Sequence, residues 1–182
     1  MSNYRRVYVH GGCYFFTLVT WKRIPFFSIP NSVEILREAF RKIKNTHPFS
    51  IDGIVILPEH LHCILQLPEG DTDFSGRWRE IKKYVSKRIP DKFENWEQNR
   101  GNGYTRKENK IWQRRFWEHI IRDDSDWQRH MDYIHYNPVK HELAKSPAEW
   151  PYSSFSRSVK MGWYKPDWGS TISSDVWELD LE

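Results

Sequence analysis

The sequence predicts an α+β fold of the ferredoxin-like class, in which an antiparallel sheet carries helices on one face. Strand-like and helix-like segments follow one another in the order β-α-β-β-α-β-α, which is the ferredoxin-like order with one additional helix. The strand-like segments alternate apolar and polar residues or are rich in Phe, Tyr, Thr and Val. The helix-like segments repeat apolar residues at spacings of three and four.

The first three elements are a strand, a helix and a strand. Residues 12–21 are rich in aromatic and β-branched residues and predict the first strand. Asn31 is predicted to cap the first helix, with Glu34 as its capping-box partner. Residues 51–57 predict the second strand. The buried stripe of the helix is predicted to comprise Val33, Leu36, Phe40 and Ile43.

The third strand is the most informative segment of the chain. Residues 58–67 read Pro-Glu-His-Leu-His-Cys-Ile-Leu-Gln-Leu, so alternation places His60 and His62 on one face and an apolar set on the other. Residues two apart on a strand are separated by about 6.6 Å, so the two imidazoles can lean onto one metal ion. The alternative is that both histidines merely occupy the wet face of a half-exposed strand. Glu59 is interpreted as a turn residue or a partner of the histidines.

The second helix and the fourth strand follow. Residues 74–88 predict a helix whose outward row is either a solvated face or a contact for phosphates. Residues 90–110 are polar and predict a mobile loop, and residues 116–122 predict the fourth strand. The helix is predicted to direct Trp78, Ile81 and Val85 inward, and Arg79, Lys83 and Lys87 outward.

The last predicted helix carries a second functional signal. Tyr133 and Asn137 are four residues apart, so on a continuous helix their β-carbons are about 5–6 Å apart. Pro138 disfavours helical geometry at the preceding residue, so the helix is predicted to end or kink at Asn137. The core stripe of this helix comprises Trp127, Met131 and Ile134.

The two segments together suggest phosphoryl chemistry. The histidines and the Asn137 oxygen could hold a cation that polarises a phosphate, while the Tyr133 oxygen attacks phosphorus. Two imidazoles and one amide, without thiolate, suit magnesium or manganese, although zinc or nickel could occupy the site on affinity grounds. His130 shares this side of the helix and either orients Tyr133, accepts its proton or is merely an exposed histidine. No function is predicted for His10, His47, His119, His135 or His141.

The chain resembles the REP-associated tyrosine transposases, a branch of the single-tyrosine HUH transposases, where HUH denotes His-hydrophobe-His. The resemblance extends over about residues 4–155, and Glu142 departs from it by standing where the family has Gly. The polar segment before Ile111 is also longer than the resemblance leads us to expect. The matching blocks, in order, are Tyr4-Arg5-Arg6, Gly11-Gly12, Phe15-Phe16-Thr17, Leu57-Pro58-Glu59-His60-Leu61-His62-Cys63 and the blocks at 74–83, 111–119, 132–141 and 150–155.

The resemblance implies a metal-dependent endonuclease and strand-transferase for single-stranded DNA with a ferredoxin-like core. His60, His62 and Asn137 would be the metal ligands and Tyr133 the nucleophile, since Tyr136 has no Asn four residues later. Cleavage would form a 5′-phosphotyrosine link and free a 3′-hydroxyl, with magnesium or manganese as the cofactor. The implied substrate is a short hairpin, the REP element, beside a conserved tetranucleotide. The enzyme is expected to act as a monomer.

Composition predicts a cytoplasmic, nucleoid-associated protein. Hydrophobic residues make up 38% of the 182 residues, and the chain begins without an apolar signal-peptide run. No stretch approaches the 18 apolar residues that a membrane span needs. Cys13 and Cys63 read as small buried hydrophobes and not as a disulfide framework.

Charge divides the chain into two parts. The net charge is +4, but residues 173–182 contain four acidic residues and no Lys or Arg, so the preceding 172 residues carry +8. We predict a catalytic domain over residues 1–155 and an irregular acidic tail over residues 156–182. The tail either frays in solvent or folds over the basic groove as a regulatory DNA mimic.

The basic body of the chain suits a polyanionic partner. Trp78 is the preferred base-stacking residue, because an aromatic ring among cationic side chains suits unpaired bases. The residues predicted to contact phosphates or bases are Arg5, Arg6, Arg77, Lys82, Lys83, Arg114 and Arg115.

Two other functions compete with the transposase interpretation. A metal phosphodiesterase would use the ion at the His-X-His pair to activate water and would not need Tyr133. A hairpin-binding protein without catalytic activity would bind structured single strands without metal. The combination of His60, His62, Tyr133 and Asn137 argues against a binding protein, because binding alone gives no reason for it.

Overall fold

The structure is a computed structural model that describes residues 6–88 and 111–170. Arg5, the whole of the predicted 90–110 loop and residues 171–182 lie outside the described residues. The strands are β1 (Cys13–Val19), β2 (Ser50–Ile56), β3 (His60–Gln66) and β4 (Trp117–Ile120). The helices are α1 (Ser32–Thr46), α2 (Phe74–Ser86), α3 (Asp124–Lys140) and α4 (Phe155–Lys160).

The four strands form one antiparallel sheet in the order β2-β3-β1-β4. The histidine strand β3 is therefore central and pairs with β1 and β2 along its length. The register sets His62 opposite Thr17 on β1 and opposite Val55 on β2. This topology confirms the predicted ferredoxin-like class and places the His-X-His motif on a central strand.

One face of the sheet packs against α1 and α2. Leu61, Cys63 and Leu65 of β3 lie in this core, together with Leu36 of α1 and Trp78 of α2. These are the apolar positions that alternation assigned to the side opposite the histidines. Burying a large side chain of this kind contributes about 1.5–3 kcal/mol, so this layer anchors the histidine strand.

The opposite face packs against α3. Phe15, Val55 and Ile64 of the sheet form a second core with Met131 and Ile134 of α3. The helices of the ferredoxin-like unit, α1 and α2, thus lie on one face as predicted, and the additional helix covers the other. This arrangement brings the tyrosine helix over the face of β3 that carries His60 and His62.

Gly53 lets α3 approach the sheet closely. The pairing of β2 with β3 is irregular between Ile51 and Gly53. A Cβ at position 53 would collide with the sulfur of Met131 and come within 3.3 Å of the Ile134 side chain. The absence of a side chain at this position therefore sets the spacing between the strands and the helix.

The N-terminus of α1 differs from the prediction. Asn31 has φ 68°, a left-handed conformation, and within the described residues its side chain makes no capping bond. A capping side chain acts from an extended backbone, and the left-handed geometry aims it elsewhere. Glu34 instead binds Arg41 at 2.6 Å and Arg37 at 3.7 Å. The predicted capping box is therefore wrong.

Helix α3 continues beyond Asn137, contrary to the predicted end or kink. Its first turn is capped by Asp123, whose Oδ1 accepts a hydrogen bond from Asp126 N at 2.8 Å. The helix then runs through Pro138 to Lys140. Pro138 lies near the C-terminal end, where its missing N–H costs one backbone bond. Its carbonyl accepts from Leu143 N at 2.8 Å, which closes the helix end.

The segment predicted as an irregular tail has a defined fold in its described part, residues 156–170. Most of α4 falls in it, and Tyr164 is buried in the second core. The Tyr164 hydroxyl donates to Asp132 Oδ1 at 2.6 Å, which attaches this segment to α3. The predicted domain boundary at residue 155 falls at the first residue of α4. In the part of the chain that the structure describes, no helix is long and apolar enough to cross a membrane.

Candidate active site

The two histidines of β3 lie on the face of the sheet that α3 covers. Both are buried, and their ring centroids are 4.9 Å apart with the planes at 78°. They are therefore not wet-face residues, which was the alternative interpretation of the alternating pattern. Two imidazoles this close, meeting edge to face, can direct nitrogens toward a common point.

One nitrogen of each histidine is engaged by a neighbouring side chain. His62 Nδ1 is 2.9 Å from Thr17 Oγ1, and His60 Nδ1 is 2.9 Å from Glu59 Oε1. Glu59 in turn lies 3.6 Å from Arg23 Nη1. The hydrogen bond with His60 holds the pKa of Glu59 below its usual value. Partners at Nδ1 fix the ring orientation and leave Nε2 as the ligand nitrogen, a common arrangement around metal-binding histidines.

Helix α3 brings Tyr133 beside the histidines of β3. The Tyr133 ring is 5.1 Å from the His62 ring, and its side chain is 4% exposed. Asn137 is one turn further along and is also buried. Lys140 Nζ lies 5.1 Å from the centre of the Tyr133 ring. The sequence prediction that Tyr133 and Asn137 share one side of a helix therefore agrees with the structure.

The donor set fits a divalent cation. His62 Nε2 and both amide atoms of Asn137 are buried and have no hydrogen-bond partner among the residues that the structure describes. Buried polar atoms are nearly always paired, so such atoms at one site point to a missing ligand. Burial, followed by the charge of His60, lowers the pKa of His62 well below its usual value. The ring is therefore neutral near pH 7, as metal ligation requires.

A second group of metal-type side chains lies beside this site. Ligand atoms of His119, Asp126 and His130 lie within 4.8 Å of one another. These atoms already bond to each other, because His119 Nε2 is 2.9 Å from Asp126 Oδ2 and His130 Nδ1 is 3.2 Å from Asp126 Oδ1. These three side chains thus form an internal hydrogen-bond network, in which His130 Nε2 is buried without a partner among the described residues.

Phe15 separates the two clusters and was not predicted as a site residue. Its ring centroid is 5.4 Å from His62, 4.7 Å from His130 and 6.0 Å from Tyr133. His141, to which no function was assigned, lies 5.2 Å from His60. Phe15 sits two residues before Thr17 on β1, so period-two alternation of that strand was the available signal.

Two predicted DNA contacts are corrected by the structure. Trp78 is fully buried in the core between α1, α2 and the sheet, so its ring has no face for a base. The Arg77 guanidinium is buried and donates to Asp71 Oδ2 and Pro48 O at 2.6 Å and to the Asp73 carbonyl at 2.7 Å. Arg77 therefore joins parts of the fold and is not exposed to a nucleic acid.

The other predicted basic contacts divide into engaged and exposed side chains. Arg6 lies 3.2 Å from Glu118, and Lys82 donates to Gln113 O at 3.0 Å. Burial, followed by the charge of Arg6, lowers the pKa of Lys82 to about 8. Lys83, Arg114 and Arg115 are exposed. Lys83 is on α2, across the sheet from Tyr133, so proximity to the site no longer favours it as a DNA contact.

A cavity of about 480 Å³ lies elsewhere in the described part of the fold. Phe27, Arg37, Trp150 and Tyr152 line it, and one wall is formed by residues 56–58. None of the predicted site residues lines this cavity. It is therefore separate from the cluster around His62.

Comparisons with known proteins agree with this geometry. The model of the IS200-like transposase family matches residues 8–137. The chain is 43% identical to the REP-associated tyrosine transposase of Escherichia coli (strain K12), covering 95% of this chain and 94% of that protein. A solved structure of a REP-associated tyrosine transposase bound to a REP hairpin has 43% identity and a TM-score of 0.76, and the match covers 96% of each chain. This chain belongs to the IS200-like transposase family and, within it, to the REP-associated tyrosine transposases.

Proposed function

We propose that this transposase cleaves and rejoins single-stranded DNA through a covalent bond to Tyr133. The observation that carries the proposal is the convergence of Tyr133 with His62 and Asn137, whose buried polar atoms lack partners within the described residues. A non-catalytic binding surface would have no reason to bury such atoms beside a phenol. Family membership supports the same class of reaction.

In the proposed step, the Tyr133 oxygen attacks phosphorus and the bond from phosphorus to the 3′ oxygen breaks. The products are a 5′-phosphotyrosine and a 3′-hydroxyl, which takes up a proton as the phenol loses its own. One phosphodiester replaces another, so the step is nearly isoenergetic and reverses when a 3′-hydroxyl attacks the phosphotyrosine. Lys140, 5.1 Å from the Tyr133 ring, favours the phenolate electrostatically.

His60, His62 and Asn137 would hold a divalent cation, which we infer to be magnesium or manganese. Such a cation withdraws charge from phosphate oxygens and makes phosphorus a better electrophile. The chain supplies the preorganised ligands: Thr17 orients His62 and Glu59 orients His60. Three protein ligands leave coordination positions open for substrate oxygens and water.

The inferred substrate is a REP-type hairpin with flanking single strand. A relative with 43% identity over nearly the whole chain was solved with a REP hairpin bound. The charge of +8 on residues 1–172 suits a polyanion of this kind. We infer that the hairpin directs the enzyme to the DNA, while the flanking single strand enters the site under α3.

The direct test is covalent adduct formation. End-labelled hairpin oligonucleotides with single-stranded flanks are incubated with protein and manganese and are separated on a denaturing gel. Wild type should yield a slowly migrating, protease-sensitive DNA band. Tyr133→Phe and His62→Ala should yield none, whereas Tyr136→Phe, which alters a phenol on the same helix, should still form it. Cleavage without an adduct that survives in Tyr133→Phe would instead establish a metal phosphodiesterase. Binding without cleavage in any metal would establish a hairpin-binding protein.

A further inference from the structure

A ladder of three roughly parallel rings runs from the second histidine cluster to the protein surface. The Trp117 ring is stacked on His119 at 8° and 6.0 Å, and the His119 ring is stacked on His130 at 17° and 4.7 Å. Trp117 is 39% exposed, whereas His130 is buried. The ladder therefore has a buried inner end and an indole at its open end.

The inner rings of the ladder are held in place. His119 Nε2 bonds to Asp126 Oδ2 at 2.9 Å, and His130 Nδ1 is 2.8 Å from Asp126 O. Burial disfavours the charged form of Asp126, but the bonds from His119 and Arg122 N outweigh it and hold the pKa of the carboxyl below its usual value. Asp126 anchors His119 through its carboxylate and His130 through its backbone carbonyl, which makes the platform rigid, so stacking on it costs little conformational entropy.

The open end of the ladder lies next to the candidate active site. Trp117 pairs with Thr17 across β4 and β1, so both side chains point to the face that carries His62. The Trp117 ring is 5.8 Å from Phe15, whose ring in turn lies 5.4 Å from His62. A planar group stacked on Trp117 would therefore lie on the same face of the sheet as His62, with Phe15 between them.

Charge around the ladder favours a nucleic acid over an apolar partner. The Arg129 side chain is 58% exposed and approaches Asp126 Oδ1 at 3.5 Å, beside the inner rings. Arg114 and Arg115, which precede β4, are also exposed. Exposed cations around an exposed indole form the combination that binds unpaired nucleotides, with the ring taking the base and the cations the phosphates.

We propose that Trp117 is the stacking platform for one unpaired base of the single strand next to the scissile phosphate. This deepens the proposed function, on which it rests, and it replaces the earlier assignment of base stacking to Trp78. Trp117 is a positioning residue in this proposal: stacking fixes the strand so that the phosphate faces Tyr133. Stacking of this kind does not select a particular base, since every base offers an aromatic face.

The test measures binding without cleavage. A REP hairpin with single-stranded extensions on both sides is titrated in EDTA with Tyr133→Phe protein that also carries Trp117→Ala, Trp117→Leu or Trp163→Ala. Trp163 is the matched control, because it is 43% exposed and packs edge-on against Trp127. Trp117→Leu keeps apolar bulk over Phe15 and guards against misfolding of the alanine variant. We expect both Trp117 variants to weaken binding about 5- to 150-fold, and the Trp163 variant to bind normally.

A scan of abasic sites then identifies the base. At one position in the single strand, removing the base should weaken binding by the protein that retains Trp117. The same abasic site should cause no further loss of affinity in a Trp117 variant, since the base and the ring form a single contact. A 2-aminopurine at that position should be quenched by the Tyr133→Phe protein and not by its Trp117→Leu derivative. Binding by Trp117→Leu within twofold of Tyr133→Phe, or an equal loss at every abasic position, would overturn the proposal. Adduct formation by wild-type protein tests the proposed function separately, so the two failures are distinguishable.

Discussion

Thr17 and His62 face each other across the central strand pair, with Thr17 Oγ1 2.9 Å from His62 Nδ1. A hydroxyl that does not take part in the reaction therefore occupies the Nδ1 side of His62. When Nδ1 holds the proton and donates to Thr17, Nε2 is left as the ligand atom. Strand β3 thus supplies a ligand of the proposed metal site, and its neighbour β1 supplies the hydroxyl that orients this ligand.

Replacing Thr17 by Val should weaken metal binding while preserving the shape of the side chain. Loss of a hydrogen bond to a ligating histidine typically costs 10- to 100-fold in metal affinity, and we expect a loss of about that size. Thr17→Ser retains the hydroxyl and is the control. Calorimetric titration of Mn²⁺ into a Tyr133→Phe background measures the affinity directly. Equal affinity in Thr17→Val and the parent would show that Thr17 does not orient His62.

Asn137→Ala should shift the manganese dependence of adduct formation to higher concentrations. The variant removes one buried oxygen ligand and leaves two imidazoles, so higher Mn²⁺ should restore part of the rate. Asn137→Asp supplies a charged oxygen in nearly the same volume and should need no more Mn²⁺ than wild type. The single-turnover adduct rate across a Mn²⁺ series distinguishes the variants. An unchanged Mn²⁺ midpoint in Asn137→Ala would remove Asn137 from the ligand set.

Lys140→Gln should slow adduct formation about 10-fold or more at saturating DNA. Its ammonium is 5.1 Å from the Tyr133 ring and favours negative charge on the phenol and the phosphate. Lys145→Gln makes the same change in an exposed side chain five residues further along and should have no effect on the rate. The measurement is a single-turnover time course for each variant. Equal slowing in both would mean that general loss of positive charge, and not proximity to Tyr133, is responsible.

Arg77→Met should destabilise the fold without weakening DNA binding by the folded protein. The buried guanidinium donates to Pro48 O, Asp73 O and Asp71 Oδ2, and its loss removes these links between parts of the fold. We expect a loss of about 2–4 kcal/mol in the free energy of unfolding. Arg79→Met, at a side chain that is 75% exposed, should change stability by less than about 0.5 kcal/mol. Urea denaturation and hairpin titration give the two quantities. A selective loss of DNA affinity in Arg77→Met would restore the original assignment.

Stability should fall as the pH drops below about 6.5, and His135 should account for part of the fall. Burial, followed by the charge of Arg157, lowers the pKa of His135 to about 3, so between these pH values the unfolded chain binds the proton more readily. The destabilisation caused by His135 is absent above pH 6.5. At pH 5 it lowers the free energy of unfolding by about 2 kcal/mol. His135→Gln should therefore lose about 2 kcal/mol less than wild type between pH 7 and pH 5 in urea denaturation. Identical pH dependence in the two proteins would show that His135 does not titrate in this way.

The order of elements and the alternation of β3 were predictable because both depend on local spacing in the chain. The neighbourhood of Tyr133 and Asn137 followed from the helical repeat, and the structure carries that helix through Pro138 because only one backbone bond near its end is lost. The helical repeat of α2 correctly directed Trp78 inward, so the cationic residues beside it in sequence were no evidence that its ring is open to a base. Trp117, by contrast, lies on the same face of the sheet as His62 only because β4 pairs with β1. This pairing joins residues about a hundred positions apart. Contacts of this range leave no mark in a local pattern.

Gly53 constrains sequence variation where the sheet meets α3. A methyl group there would collide with the Met131 side chain, so that side chain or the helix that carries Tyr133 must shift. A screen for transposition would therefore group Gly53 with the catalytic residues, although it has no side chain to contact DNA or metal. Even Gly53→Ala would be scored as the loss of a reactive group. The actual cause of the lost activity would be a change in the packing between the sheet and α3. A position that tolerates no substitution can therefore be one that sets the distance between two layers and not one that carries a reactive group.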